Sequence, residues 1–200
     1  MKIQSKSYGY YYVSISLPDK QKLMQTNNER AFIISQLQDL LSTRLLISSV
    51  PAHSQLASCI DLLAFSISSE SIQLLVFSID SSILTQFSNC IVTRLAQYQY
   101  EYRPSRRQPS FEPRAYIKKL RGPHQALARS VELHMFHEDW EYDRYSSVGF
   151  YLHDRRGDWM RMWRLAQLYD NDTSNYRLLL ESHIKRYDAA LQPNLRSFAS

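Results

Sequence analysis

Between residues 56 and 79 the chain carries two apolar, β-prone runs, 56–67 and 72–79, parted only by Ser68, Ser69, Glu70 and Ser71. Runs of this kind joined through a short polar turn pair as a hairpin, so the flanking segments must complete a sheet around it. Residues 8–17 (YGYYYVSISL) alternate aromatic or aliphatic side chains with small polar ones and stop at Pro18, the pattern of another strand. Asn27 and Asn28 offer caps for a helix over 30–46, in which Phe32, Ile33, Leu37, Leu40, Leu41 and Leu45 recur at helical spacing. After the hairpin, Ser81 or Ser82 can cap a second helix that turns Ile83, Leu84, Phe87, Ile91, Val92 and Leu95 inward.

The order strand, helix, strand, strand, helix is most of a ferredoxin-like α+β sandwich. Such a fold has an antiparallel sheet of about four strands, with helices on one face and the other face free. Residues 114–120 supply the fourth, short strand after a polar, proline-containing linker over 104–113. Gly122-Pro123 marks a break, 125–136 reads as a helix, 146–152 as a short element, and 159–169 and 175–187 as two further helices. The chain therefore divides into an α+β domain over 1–152 and a helical C-terminal extension over 153–200 packed on it.

A hydrophobic content of 44% in 200 residues suffices for one core. No apolar run approaches the ~20 residues that a membrane helix needs. The first residues lead into alternating aromatics rather than a signal-peptide core, so a cytoplasmic protein with no membrane partner is expected. Cys59 and Cys90 lie in apolar contexts without CxxC spacing, which favours reduced core thiols over a disulfide or a zinc site.

The net charge of +5 is moderate but unevenly distributed. Arg94, Arg103, Arg106, Arg107, Arg114, Lys118, Lys119, Arg121 and Arg129 face only Glu101 and Glu112 over the same stretch. Such a block is a candidate phosphate-binding surface, since each neutralised phosphate releases a condensed counterion. A solvated basic loop is the plainer reading. Tyr98, Tyr100, Tyr102 and Tyr116 lie among these charges and can stack on unpaired bases.

Other constellations are weaker. His134 and His137 stand three apart, at helical spacing and beside Glu138 and Asp139, a spacing that zinc or iron sites use. No second cluster completes that shell, and surface or cap histidines are the competing reading. His153-Asp154-Arg155-Arg156 reads as a solvated turn, and Trp159 and Trp163 as one core-facing or interface side of a helix. Four glycines leave no phosphate loop, and no nucleophile elbow exists.

Pieces spread over the chain carry a family resemblance. They are Tyr12-Val13-Ser14-Ile15-Ser16 followed by Asn28-Glu29-Arg30-Ala31-Phe32, the hairpin over 62–76, the helix Ala126-Leu127-Ala128-Arg129-Ser130-Val131, and Tyr145-Ser146-Ser147-Val148. The segment from Asp158-Trp159 to Leu168-Tyr169, then Tyr176, adds a helical tail. In this order they resemble the REP-associated tyrosine transposases. In that family the central hairpin carries a His-hydrophobic-His pair that holds a divalent metal, and a tyrosine attacks the scissile phosphate of single-stranded DNA. Here Ser71 and Gln73 stand where the two histidines would be. Residues i and i+2 of a strand share a side, so the geometry is kept while ligand strength is lost.

By resemblance, Tyr116, after Phe111-Glu112-Pro113-Arg114, is the candidate nucleophile, and the stretch bearing Tyr98, Tyr100 and Tyr102 is the fallback. The resemblance implies binding of single-stranded or hairpin DNA through Arg94, Arg103, Arg106, Arg107, Arg114, Lys118, Lys119 and Arg121. Strand cleavage and transfer would be impaired or lost, with Mg²⁺ or Mn²⁺ as cofactor only if activity survives through a Glu70, Ser71 and Gln73 site. A monomer and a homodimer both stay open. The rival class is a domesticated, non-catalytic interaction or regulatory module whose open sheet face is covered by a partner or a second copy.

Overall fold

The computed structural model describes residues 7–42, 56–102, 113–135, 140–153 and 155–196. Strand β1 (Gly9–Ser16) turns Tyr11, Val13 and Ile15 to one side and Tyr10, Tyr12 and Ser14 to the other, as its alternating sequence requires. It pairs antiparallel with β3 (Ser71–Ser78) on one flank and with β4 (Arg114–Lys119) on the other, and β2 (Ile60–Ile67) pairs with β3. The result is the expected α+β class with a four-stranded antiparallel sheet, in the order β2-β3-β1-β4.

The turn between β2 and β3 forms because Ser68 Oγ accepts the backbone N–H groups of Glu70 and Ser71. The first strand of the hairpin is shorter than its apolar run, because residues 56–59 are helical.

Helices α1 (Asn27–Leu41) and α2 (Ser82–Tyr102) cover the first sheet face. Ile33, Leu37 and Leu40 from α1 and Leu84, Phe87, Ile91 and Leu95 from α2 meet Val13, Ile15, Leu62, Phe65, Leu74 and Val76 in one core. Full burial of such side chains contributes about 1.5–3 kcal/mol each.

The cap of α1 is Thr26 rather than Asn27 or Asn28. Thr26 Oγ1 accepts from the Glu29 N–H at 3.3 Å, and Glu29 Oε2 accepts from the backbone N–H groups of Gln25 at 2.6 Å and Thr26 at 3.4 Å. This capping box wins because only the Thr-x-x-Glu spacing serves donors in both directions. Glu29 is only 1% exposed, and Glu29→Ala removes the acceptor of two part-buried N–H groups, an expected cost of about 1–2 kcal/mol in urea unfolding, with Glu29→Gln costing much less. Equal losses in the two variants would show that the box contributes nothing.

The second face is not free. Leu63 and Ala64 of β2 and Leu75 of β3, flanked by Tyr10, Tyr12 and Phe77, make an apolar floor on that side. On it sit α3 (Pro123–His134), α4 (Val148–Leu152), α5 (Trp163–Ala166) and α6 (Thr173–Arg196), with Ala126, Val131, Tyr151, Leu165, Tyr176 and Leu180 pointing inward. A register shift between Leu62 and Ala64 lets β2 serve both layers. The extra residue turns Leu62 and Phe65 to the first core and Leu63 and Ala64 to the second.

The outer edge of β2 is covered by the chain itself. Ser147 N–H donates to Phe65 O, Ile67 N–H to Tyr145 O, and Arg161 N–H to Leu62 O.

Residues 159–169 do not form one helix. Met160 bridges to Leu62, which draws Trp159 into the first core at 5% exposure, stacked 5.7 Å from Phe65, while Trp163 stays 56% exposed. No helix among the described residues is long and apolar enough to cross a membrane.

Candidate functional site

Strand register decides which predicted residues meet. Tyr116 lies opposite Ser14, Ser14 opposite Gln73, and Gln73 opposite Ser66, so one row runs across all four strands on the second face. The neighbouring row brings Arg114, Ser16 and Ser71 into line, and Lys118 lies opposite Tyr12. With neighbouring strands about 4.8 Å apart, the backbones at Gln73 and Tyr116 are separated by about 10 Å. Arg114 and Lys118 are exposed, Tyr116 is 58% exposed, Ser14 and Gln73 are half-buried, and Ser71 is buried.

Ser71 and Gln73 do share a side, but they are occupied with each other. Gln73 Nε2 donates to Ser71 Oγ at 3.2 Å, Gln73 Oε1 accepts from the Tyr12 hydroxyl at 2.9 Å, and Ser71 Oγ lies 3.3 Å from Ser68 Oγ. A divalent cation of the Mg²⁺ or Mn²⁺ kind takes oxygen ligands, carboxylates foremost. The amide oxygen is turned to Tyr12, the amino group faces the serine, and among the described residues no imidazole or carboxylate hydrogen-bonds to Ser71 or Gln73. Among the described residues no group of three His, Cys, Asp or Glu side chains could hold a metal ion. These side chains do not fit the metal.

The basic block divides. Arg114 and Lys118 stand on the second face, where Arg129 of α3 lies over the Tyr12 ring at 4.4 Å and pairs with Glu132 at 2.5 Å. Lys119 points to the opposite side, its Nζ donating to Ser7 Oγ at 2.6 Å. Arg94 belongs to the helical layer and donates to Gln36 Oε1 at 2.6 Å, linking α2 to α1. Arg121 is exposed just ahead of α3, its backbone N–H held by Gln125. Arg103, Arg106 and Arg107 lie outside the described residues. Tyr98 stacks on Phe32 at 4.2 Å and neighbours Tyr102 at 4.6 Å, so the α2 tyrosines also sit on the helical layer, away from Ser71 and Gln73.

His134 is neither a surface nor a cap residue. It is 1% exposed, with Nε2 2.6 Å from Ser147 Oγ and Nδ1 2.8 Å from the Tyr176 hydroxyl. Ser147 Oγ also accepts from the Phe65 N–H at 2.8 Å and lies 3.2 Å from Phe65 O, and the Tyr176 hydroxyl lies 3.1 Å from Ser130 Oγ. The donor roles follow the tautomer. With the proton on Nε2, Tyr176 donates to Nδ1, and Ser147 accepts from the ring and donates to Phe65 O. With it on Nδ1, the ring donates to Tyr176, Tyr176 to Ser130, and Ser147 to Nε2. Burial lowers the imidazole pKa to about 3 and raises that of Tyr176, so both groups are neutral. With both ring nitrogens engaged, His134 is no metal ligand, and His137 lies outside the described residues. The i, i+4 pair Ser130 and His134 on the buried side of α3 was the one signal of this relay in the sequence.

The fold defines a class: an α+β protein whose four-stranded antiparallel sheet lies between two helical layers. No protein-family model, curated protein or solved structure matches the chain.

Proposed function

We propose that this protein binds single-stranded or hairpin DNA along β4 and the adjoining second sheet face. It would be a relative of the tyrosine transposases that has lost metal-dependent strand cleavage and transfer. The observation that carries this reading is the alternation on β4: Arg114, Tyr116 and Lys118 project from one face of an exposed strand. Residues two apart on a strand are about 6.8 Å from each other. A stackable ring thus stands between two cations, an arrangement that suits an unpaired base with a phosphate on either side. Ser14 and Ser16 continue the same face with hydroxyl groups. In this reading Tyr116 is a stacking platform and attacks nothing, since Ser71 and Gln73 supply no site for a metal to polarise a phosphate.

Fluorescence anisotropy with a labelled DNA hairpin, a matched blunt duplex and a salt series tests the proposal. The hairpin should bind tighter than the duplex, with log K falling by about 0.7 per contacted phosphate for each tenfold rise in salt. Tyr116→Phe should bind as the parent does. Tyr116→Ala should lose about 1–3 kcal/mol, the worth of one stacked base. Incubation with Mn²⁺ should give no covalent DNA adduct. Binding that ignores salt would favour the rival reading, an interaction module with an apolar protein partner.

A further inference from the structure

The geometry points to a second ligand site, for a phosphomonoester of nucleotide size, in the cleft between α4 and the start of α6. This cavity has a volume of about 560 Å³, within the roughly 300–1,000 Å³ usual for small-molecule sites. Its lining combines the apolar Phe150, Leu152 and Met162 with His153, Arg155, Arg156 and Thr173. The cleft belongs to the β2 side of the sheet, since Ser147, just before α4, bonds to Phe65 of β2. β2 and β4 are opposite edges, so this cleft and the Tyr116 surface are separate places on the molecule.

The ligand class follows from charge and shape. Nearby arginines are neutralised within the fold: Arg161 and Arg164 face Asp61, and Arg177 pairs with Glu141. Arg155 and Arg156 have no such carboxylate among the described residues, and none of the described residues that line the cavity is acidic. Two arginines in one lining suit a phosphate, whose oxygens accept paired N–H bonds. A phosphate alone would leave most of the volume and the apolar lining residues unused. The His153 ring, parallel to Tyr142 at 5.9 Å and 15°, adds a flat surface beside the arginines, which suits a planar base.

The site is also built into the backbone. Gly149 leaves room that Arg155 fills: a Cβ there would lie 2.9 Å from Arg155 Cδ and Nε and 3.0 Å from Cζ. The side chain is thereby laid against α4, which lowers the entropy cost of engaging an anion. The ligand is either a free nucleoside monophosphate or the phosphorylated end of a DNA strand.

Calorimetric or NMR titration of the full chain with dAMP, deoxyadenosine and inorganic phosphate, together with 5′-phosphorylated and 5′-hydroxyl forms of one hairpin, tests this. Deoxyadenosine should bind at least about tenfold more weakly than dAMP. Arg155→Ala with Arg156→Ala should weaken dAMP by a similar factor at unchanged Tm. Gly149→Ala, which displaces Arg155, should weaken it too. A 5′-phosphate that strengthens hairpin binding only in the parent identifies a strand end as the ligand. dAMP binding without that gain identifies the free nucleotide. Equal binding of dAMP and deoxyadenosine, or parental dAMP affinity in the double variant, would overturn the assignment. Arg114→Glu with Lys118→Glu should leave dAMP binding unchanged, so failure here and failure of the proposed DNA surface are told apart.

Discussion

Replacing His134 by alanine is expected to destabilise the fold by about 3–5 kcal/mol at neutral pH, the cost of emptying a buried ring site and orphaning its hydrogen-bonding partners. The imidazole joins α3 to Ser147 on one side and to Tyr176 of α6 on the other, and Ser147 in turn holds both backbone groups of Phe65. Its loss cuts the connection among three segments that meet on the second sheet face. Against a total stability of about 5–15 kcal/mol, that is a large share.

The same residue makes stability depend on pH with a definite sign. The folded pKa is about 3, below the ordinary 6.5, so between these values the unfolded chain binds a proton that the folded chain refuses. Stability contributed by neutral His134 is therefore full above about pH 6.5 and falls as pH drops toward 3, by up to about 1.4 kcal/mol per pH unit. Urea unfolding at pH 7.5 and 4.5 checks both parts. The difference between the two pH values should shrink in His134→Ala, and parallel pH profiles for parent and variant would refute a buried neutral imidazole.

The second large effect concerns DNA. Arg114→Glu combined with Lys118→Glu should weaken hairpin binding at least about 100-fold at low salt and flatten the salt slope by about 1.4, two phosphate contacts at 0.7 each. The decisive control comes from the same basic stretch. Arg94→Glu and Lys119→Glu reverse charges on other sides of the molecule and should each cost less than about threefold. If Arg94→Glu weakens binding as much as the double reversal does, the β4 surface is not the binding site.

Local patterns were readable wherever one interaction decided the outcome. The alternation over 8–17 specified β1, the Ser-rich turn specified the hairpin, and residues 114–119 formed the expected fourth strand. Thr26-x-x-Glu29 was also on view, though the adjacent asparagines competed for the same role. What stayed hidden needed partners far apart in sequence. Lys118 and Lys119 look equivalent in a charge count, yet strand alternation sends them to opposite sides of the sheet. Leu63, Ala64 and Leu75 read only as part of apolar runs. That they form a floor for α3 to α6 depends on a one-residue register shift that no periodicity announces. His134 resembled a metal ligand because its partners Ser147 and Tyr176 lie 13 and 42 residues away.

The sheet has one edge sealed by residues 145–147 and 160–161 along β2 and one formed by β4, with which no further strand pairs among the described residues. A bare edge is a template on which a second chain can add, and charged side chains along it are a common protection against such growth. Arg114, Lys118 and Lys119 are placed to give β4 this protection, whatever they bind. Alanine at these positions would weaken any phosphate contact and also remove that protection, lowering solubility. Glutamate separates the two effects, because it repels DNA while keeping the edge charged.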